Sequence, residues 1–442
     1  MSEDMSRTQV APLSEPERRR GQTYLIRVAL SDSFIHSVVL GNMMATLFVL
    51  RMGGTPYQAS LRQTFANLAP VIQILGLVLM VRLGKARLGA IGRRLNIVPL
   101  LVLVGLAAYG HTGTTWAWLT IGAFAWLSIS NVVANTGWWP ILQDNTEGEG
   151  IGTFFSRMRL KLRILEVALP LTVGFLLGKN PATASFIVPL SLAMVAMAVG
   201  SSYMRKVPER RLDPPKAGLF NRLVQAARVP SVRSFLVFLA TRSVIGGLPA
   251  AYWVVMLKSR GLTDNFVIWM IPVAAAGHMA GLTLWANVVD RHGSRPVLTI
   301  SIFGHAALGL AWLLMPLGLG PVIVWASAFF LVGGFLDGAF MMGRTQAIMD
   351  AIPPHCQADG FALGNVTMAV FAGLGAYVGT VAFEPLIAAP AMIAGIDQRL
   401  IYLAGVQMCL VGSWVASRRL TRYHRETPTR ELMDRVLEWI VG

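Results

Sequence analysis

The chain has 442 residues, of which 54% are hydrophobic and only 14% charged, and its mean hydropathy is +0.57. A soluble chain carries about 25% charged residues, so the composition excludes an ordinary soluble globular protein. The formal net charge of +16 would suit a nucleic-acid binder, but the placement of the basic residues argues against that class.

Apolar runs of about 20 residues, the length that crosses a bilayer as a helix, recur along the whole sequence. In chain order they fall at 28–50, 58–81, 95–112, 115–141, 162–178, 184–204, 234–257, 266–289, 297–316, 321–349, 361–385 and 399–417. Backbone exposed to lipid must satisfy its own hydrogen bonds, which makes helices the default. These runs are too long and continuous for a β-barrel. The expected fold class is an all-α membrane protein with twelve transmembrane helices.

Residues 1–23 are polar, contain Arg18-Arg19-Arg20 and lack an apolar h-region. The first span is therefore expected to be retained as a signal anchor. Residues 205–233 form the widest polar gap, with Pro214-Pro215 interrupting any spanning helix. They divide the chain into six spans at 24–204, a linker at 205–233 and six spans at 234–417. A basic tail, 418–442, follows; Thr427-Pro428 and an apolar stripe from Leu432 to Ile440 predict an amphipathic helix. That helix lies either on the inner leaflet or against the bundle's underside.

With both termini inside, most of the 38 Lys and Arg fall on the inner face, against Arg51, Lys179, Lys258, Arg260 and Arg399 outside. This is the positive-inside bias. The basic charge then reports topology and contact with anionic lipid rather than nucleic acid. The expected location is the inner (plasma) membrane of a bacterium, with both termini cytoplasmic. The two cysteines, Cys356 and Cys409, form no CxxC pair, and the seven histidines form no metal-binding spacing. No metal and no cofactor is expected.

Two elbows half a chain apart carry the strongest internal likeness. Arg82-Leu83-Gly84-Lys85-Ala86-Arg87 joins spans 2 and 3, and Asp290-Arg291-His292-Gly293-Ser294-Arg295 joins spans 8 and 9. Leu50-Arg51-Met52-Gly53 matches Leu257-Lys258-Ser259-Arg260-Gly261 in place and character, and Asp144 matches Asp350. A tandem duplication of a six-helix unit accounts for all three.

At the elbows the chain resembles the major facilitator superfamily. Asp290, Arg291, Gly293 and Arg295 match the signature after span 8. Arg82, Gly84, Lys85 and Arg87 match it after span 2, where Val81 stands in place of the acid. The resemblance implies two pseudo-symmetric bundles, a cavity lined by spans 1, 4, 7 and 10, and elbows that act as a gate. With Val81, the first elbow is expected to lack one acidic latch. Span 4 holds no Arg, and no sugar-porter signature stands out after span 6, so no subfamily is assigned.

Ionisable side chains within spans cost about 2.5–3.5 kcal/mol at the bilayer centre, and they usually face a cavity or a partner. Asp32 and His36 share a face of span 1, with Asn42 further along. They form either a proton-coupling pair or a structural cluster in which Asp32 pairs with Arg27. Arg242 on span 7 can hold an anionic group, and Arg62 on span 2 either does the same or reaches headgroups. Asp337 lies near the middle of span 10 with Arg344 two turns on; it is the leading candidate for a coupling or substrate carboxylate, or else an internal ion pair. His278 and His305 read as hydrogen-bonded structure.

No P-loop pattern is present, which turns the reading from ATP-driven pumping to secondary active transport of a small solute. No nucleophile–base pair or metal cluster points to an enzyme. The alternative class is a non-transporting protein of the same fold, acting as a sensor or as a lipid or pigment assembly factor. Expected partners are a small-molecule substrate, protons and membrane lipids.

Overall fold

The structure, a computed structural model, describes residues 13–40, 42–146, 151–210, 218–249, 252–352 and 357–420. The stripe predicted after Thr427 lies outside these residues. Among the described residues, ten helices are long and apolar enough to cross a membrane. Span 1 is a bent pair, Glu15–Val39 and Met43–Arg51, and span 5 is Ile151–Leu177, with its apolar part at Ile164–Leu177. With the bent pair as one span and the shorter apolar helix as another, the described residues are consistent with twelve. The chain is an integral membrane protein.

Span 1 begins earlier than its apolar run. Ser14 and Glu17 form a capping box, Ser14 donating to Glu17 Oε2 at 2.6 Å, with Pro16 in the first turn. Midway the helix loosens into a π turn at Ile35–Val39, and the pair bends by 50°. Span 3 also begins early, at Lys85 rather than 95. The basic stretch Lys85–Arg94, expected as loop, is helical because its charges find partners inside the bundle.

The duplication is visible in the backbone of the corners. Gly84 and Gly293 end spans 2 and 8 with φ of +90° and +84°. Each donates its N–H four residues back, to Met80 and Val289, at 2.9 Å. Such angles favour glycine because a Cβ would clash, which is why both elbows keep Gly at that point. At the opposite end, Gly53 and Gly261 take φ of +85° and +100°. Thr55 and Thr263 then cap spans 2 and 8 with φ/ψ of −79°/161° and −79°/160°.

The hydrophobic core has two regimes. At the end away from the elbows, one buried cluster joins both halves and includes Phe48, Met52, Phe124, Leu257, Val267 and Trp312. At the elbow end each half has separate clusters, one around Leu25, Ile141 and Met204 and another around Phe235, Leu298 and Ala347. The halves are therefore welded at one end. Large apolar side chains such as Leu75, Phe175, Val195 and Val324 remain exposed on the outside of the bundle, where lipid is the solvent.

Span 10 (Leu319–Ala351) packs backbone to backbone on span 8 (Asp264–His292). A Cβ on Gly281 would meet the Phe335 backbone, and one on Gly338 would meet Leu282 N at 2.9 Å. Small residues permit this approach and fix the rotation of span 10. That rotation decides where Asp337 points.

Candidate functional site

A cavity of about 340 Å³ lies between the halves. Gln63 and Asn67 of span 2 contribute one wall. Arg242 of span 7, His305 of span 9, Asp337 of span 10 and Gln407 of span 12 contribute the polar part of the other. Trp253, Trp312, Phe329 and Phe330 supply an aromatic lining. Trp312 and Phe329 approach to 4.9 Å between centroids, and Trp253 and Phe330 to 5.2 Å. Trp312 Nε1 donates to Gln407 Oε1 at 2.9 Å, which fixes the amide. The site therefore offers one cation, one acid, an imidazole, amides and π faces within one pocket.

Asp337 and His305 form its chemical centre, His305 Nε2 lying 3.2 Å from Asp337 Oδ1. The Asp337 side chain keeps 58% of its surface accessible although it sits within the bundle. His305 Nδ1 lies 2.8 Å from Ser301 O. A carbonyl only accepts, so Nδ1 carries hydrogen. Neutral imidazole would then present a bare lone pair from Nε2 to a carboxylate oxygen. A hydrogen bond across that gap needs one more proton, carried by the ring or by the acid.

Arg242 lines the same cavity, its guanidinium 4.7 Å from the centroid of Phe340. Arg344 leans on the same ring at 5.9 Å, and its nitrogens reach the sulfurs of Met368 at 3.0 Å and Met341 at 3.3 Å. Two cations thus share one aromatic ring. Arg344 follows Asp337 in sequence but not into the cavity lining.

The span 1 candidates sit elsewhere. Asp32 is buried and accepts from Arg93 through both oxygens, Nε at 3.0 Å to Oδ1 and Nη2 to Oδ2. Arg93 also donates to Gly89 O at 3.0 Å and Ala134 O at 3.1 Å. The partner of Asp32 is therefore Arg93, not Arg27, which stacks on Tyr203 at 5.0 Å. His36 is accessible and lies within electrostatic range of Asp32, Arg93 and Glu166. The side chain of Asn42 lies outside the described residues.

At the first elbow, Lys85 is buried and binds Asp144 at 2.5 Å, while Arg82 and Arg87 are exposed. Asp144 Oδ2 also accepts from Arg210 N at 3.1 Å. The acid expected to be missing at Val81 is supplied from the linker. Glu209 Oε2 accepts from Ala86 N at 2.7 Å, at the N-terminus of span 3, and Oε1 sits over Gly84. A carboxylate there pairs with the helix dipole. At the second elbow Arg291 is exposed and Arg295 donates to Arg418 O at 2.6 Å and to Leu420 O, capping the end of span 12. The Asp290 side chain lies outside the described residues.

Sequence reasoning missed His305, Gln63, Asn67, Gln407 and Glu209. None carries a local signal; His305, Asn67, Gln407 and Glu209 each meet a partner more than 30 residues away, and Gln63 joins the cavity wall only once the bundle is packed.

A two-bundle helical membrane protein with a polar cavity between its halves is the class that fold and site define. Residues 164–376 match the family model described as Major Facilitator Superfamily. Among solved structures the chain is similar to a mutant of the nucleoside transporter NupG, at 13% identity over 90% of this chain and 99% of that one, TM-score 0.71. It is similar to an auto-inhibited POT family peptide transporter, at 12% identity over 92% and 99%, TM-score 0.71. An inward-facing bacterial homologue of the iron transporter ferroportin matches at 16% identity over 93% and 100%, TM-score 0.59. No curated protein sequence matches the chain. The chain as a whole thus has the fold of these transporters, and residues 164–376 carry the sequence pattern of the major facilitator superfamily.

Proposed function

We propose that this protein is a secondary active transporter that moves a small solute by alternating access and couples that movement to protons. The observation that carries the reading is the Asp337–His305 pair, accessible inside a cavity between two halves that are joined at one end. The solved structures of the same fold include nucleoside and peptide transporters, which supports a small polar organic cargo here. Arg242 and the amides orient the solute, the aromatic residues cover its apolar part, and Asp337 with His305 gains and loses the coupling proton. Rocking about the welded end would open the cavity to either face in turn. The elbows form the cytoplasmic gate, and the protein resides in the bacterial inner membrane with both termini inside, as its charge distribution implies.

The test is uptake into proteoliposomes with an imposed pH gradient and a broad panel of metabolites. Wild type accumulates at least one solute. Asp337→Asn, which keeps size but cannot ionise, abolishes accumulation while the protein remains folded. Unchanged, pH-dependent accumulation by that variant would remove Asp337 from the mechanism. Failure to move any solute, together with stable co-purification of a partner, would favour the sensor or assembly-factor reading.

A further inference from the structure

Arg62 in span 2 (Pro56–Leu83) is only 1% exposed, one of the largest fully buried side chains in the protein. Its guanidinium stands 5.5 Å from the centroid of Phe124 in span 4. Nη2 donates to Gln63 Oε1 at 3.2 Å. Nε and Nη1 have no acceptor, and no ion pair to Arg62 occurs among the described residues. A buried cation without a counter-charge is strongly unfavourable.

Arg93 supplies the contrast within the same half. It is equally buried, yet Asp32 and two backbone carbonyls occupy its nitrogens. That is how this fold satisfies a structural arginine. Arg62 instead keeps two donors unpaired, buried behind Gln63 and not in the cavity lining itself, on a planar fork that matches the paired oxygens of a carboxylate or phosphate. The side chain it touches, Gln63, lines the cavity beside Asn67.

We propose that Arg62 is the anion-recognition arm of the carrier, receiving a carboxylate or phosphate group of the solute when Gln63, which covers it in this state, turns aside. The inference rests on the reading of this cavity as the solute site. It narrows the cargo to solutes bearing an anionic oxygen group. It also explains why the cation stands on the half opposite Asp337. A solute held by Arg62 on one half and by Asp337 and Arg242 on the other bridges both, and its presence then biases their rocking.

Thermal unfolding of the purified protein tests this without knowledge of the cargo, with sodium phosphate and sodium acetate as probes against sodium chloride at equal ionic strength. Wild type is expected to show a saturable rise in Tm of about 2 °C or more with one of the two anions. Arg62→Met should lose that rise, and Arg27→Gln, on a side chain outside the cavity lining, should keep it. Arg62→Met should also unfold at a higher temperature than wild type in chloride alone, because an unpaired buried charge is gone. Arg62→Lys, which keeps charge but not the fork, should need about tenfold more anion for the half-maximal shift. Absence of any wild-type shift, a shift that survives in Arg62→Met, or an Arg62→Met protein that is less stable or unfolded would overturn the assignment. Phosphate and acetate separate a phosphorylated cargo from a carboxylated one. A protein that shows the Arg62-dependent shift yet transports nothing would refute the carrier reading and leave the anion site standing.

Discussion

Arg51, at the end of span 1, donates to Asp264 Oδ2 through Nη2 at 2.7 Å and Nε at 3.0 Å, tying the first half of the chain to the start of span 8 in the second. Lys258 binds the other oxygen at 2.5 Å, and the Asp264 side chain is 1% exposed. Arg51 and Lys258 occupy matching corners of the duplicated unit, so one carboxylate holds the cation from each copy. Both halves converge on it at the end where the hydrophobic core is continuous.

Asp264→Asn should therefore loosen this end. Losing a buried charge partner costs about 3–5 kcal/mol, part of which goes to separating the halves and not to unfolding. In a cysteine-free background, a cysteine at Met52, which is fully buried at this end, should react with a membrane-impermeant maleimide about tenfold faster in the variant. An unchanged rate would show that Asp264 does not hold this end closed.

His305→Gln should separate exchange from accumulation. Glutamine keeps a polar side chain near Asp337 but cannot take up a proton at neutral pH. Counterflow of labelled solute without a pH gradient is expected to persist. Accumulation driven by a gradient should fall about tenfold or more and lose its pH dependence. A variant that still concentrates solute with the wild-type pH profile would exclude His305 from coupling.

Glu209→Gln should weaken the first elbow. The carboxylate accepts from Ala86 N at 2.7 Å at the start of span 3, an arrangement worth about 0.3–1 kcal/mol. The expected readout is a lower unfolding midpoint together with faster hydrogen exchange at the Ala86 amide. Gly84→Ala should be worse, since φ is +90° there and the new Cβ would lie 2.6 Å from Glu209 Oε1.

Asp397 gives a pH-dependent test outside the spans. The hydrogen bond from Arg399 holds its carboxyl below the ordinary value of 3.8, with Arg260 adding to the effect. The folded state thus releases this proton more readily than the unfolded chain does. The stabilisation is complete above the unfolded value and is lost as pH falls through the folded one. Asp397 also caps span 12, accepting from Arg399 N at 2.9 Å. Asp397→Ala should cost about 1 kcal/mol at pH 7 and flatten the acid limb of the stability curve below about pH 4. Parallel acid limbs in wild type and variant would show that this cluster contributes nothing to acid sensitivity.

The spans were legible because membrane helices write their length directly into hydropathy. The elbows were legible because Gly84 and Gly293 satisfy the same local demand for a positive φ. Span boundaries were less legible where charge enters a helix. Lys85 and Arg93 read as loop residues until Asp144 and Asp32 are brought to them. Of the candidates for the site, Arg242 and Asp337 line the cavity, Asp32 is locked in a structural pair, and Arg344 packs on Phe340.

The sequence by itself determined that this chain is a helical membrane protein, built twice from one six-helix unit, with its basic residues gathered on one side. Those properties follow from local quantities, namely apolar run length, glycine at the corners and charge between spans. Which polar side chains meet was decided only in three dimensions. His305 reaches Asp337, Glu209 reaches the first elbow, Arg51 reaches Asp264, and Arg62 reaches no counter-charge among the described residues. Helical periodicity shows which residues share a face, but the rotation and packing of each helix against its neighbours determine what that face meets.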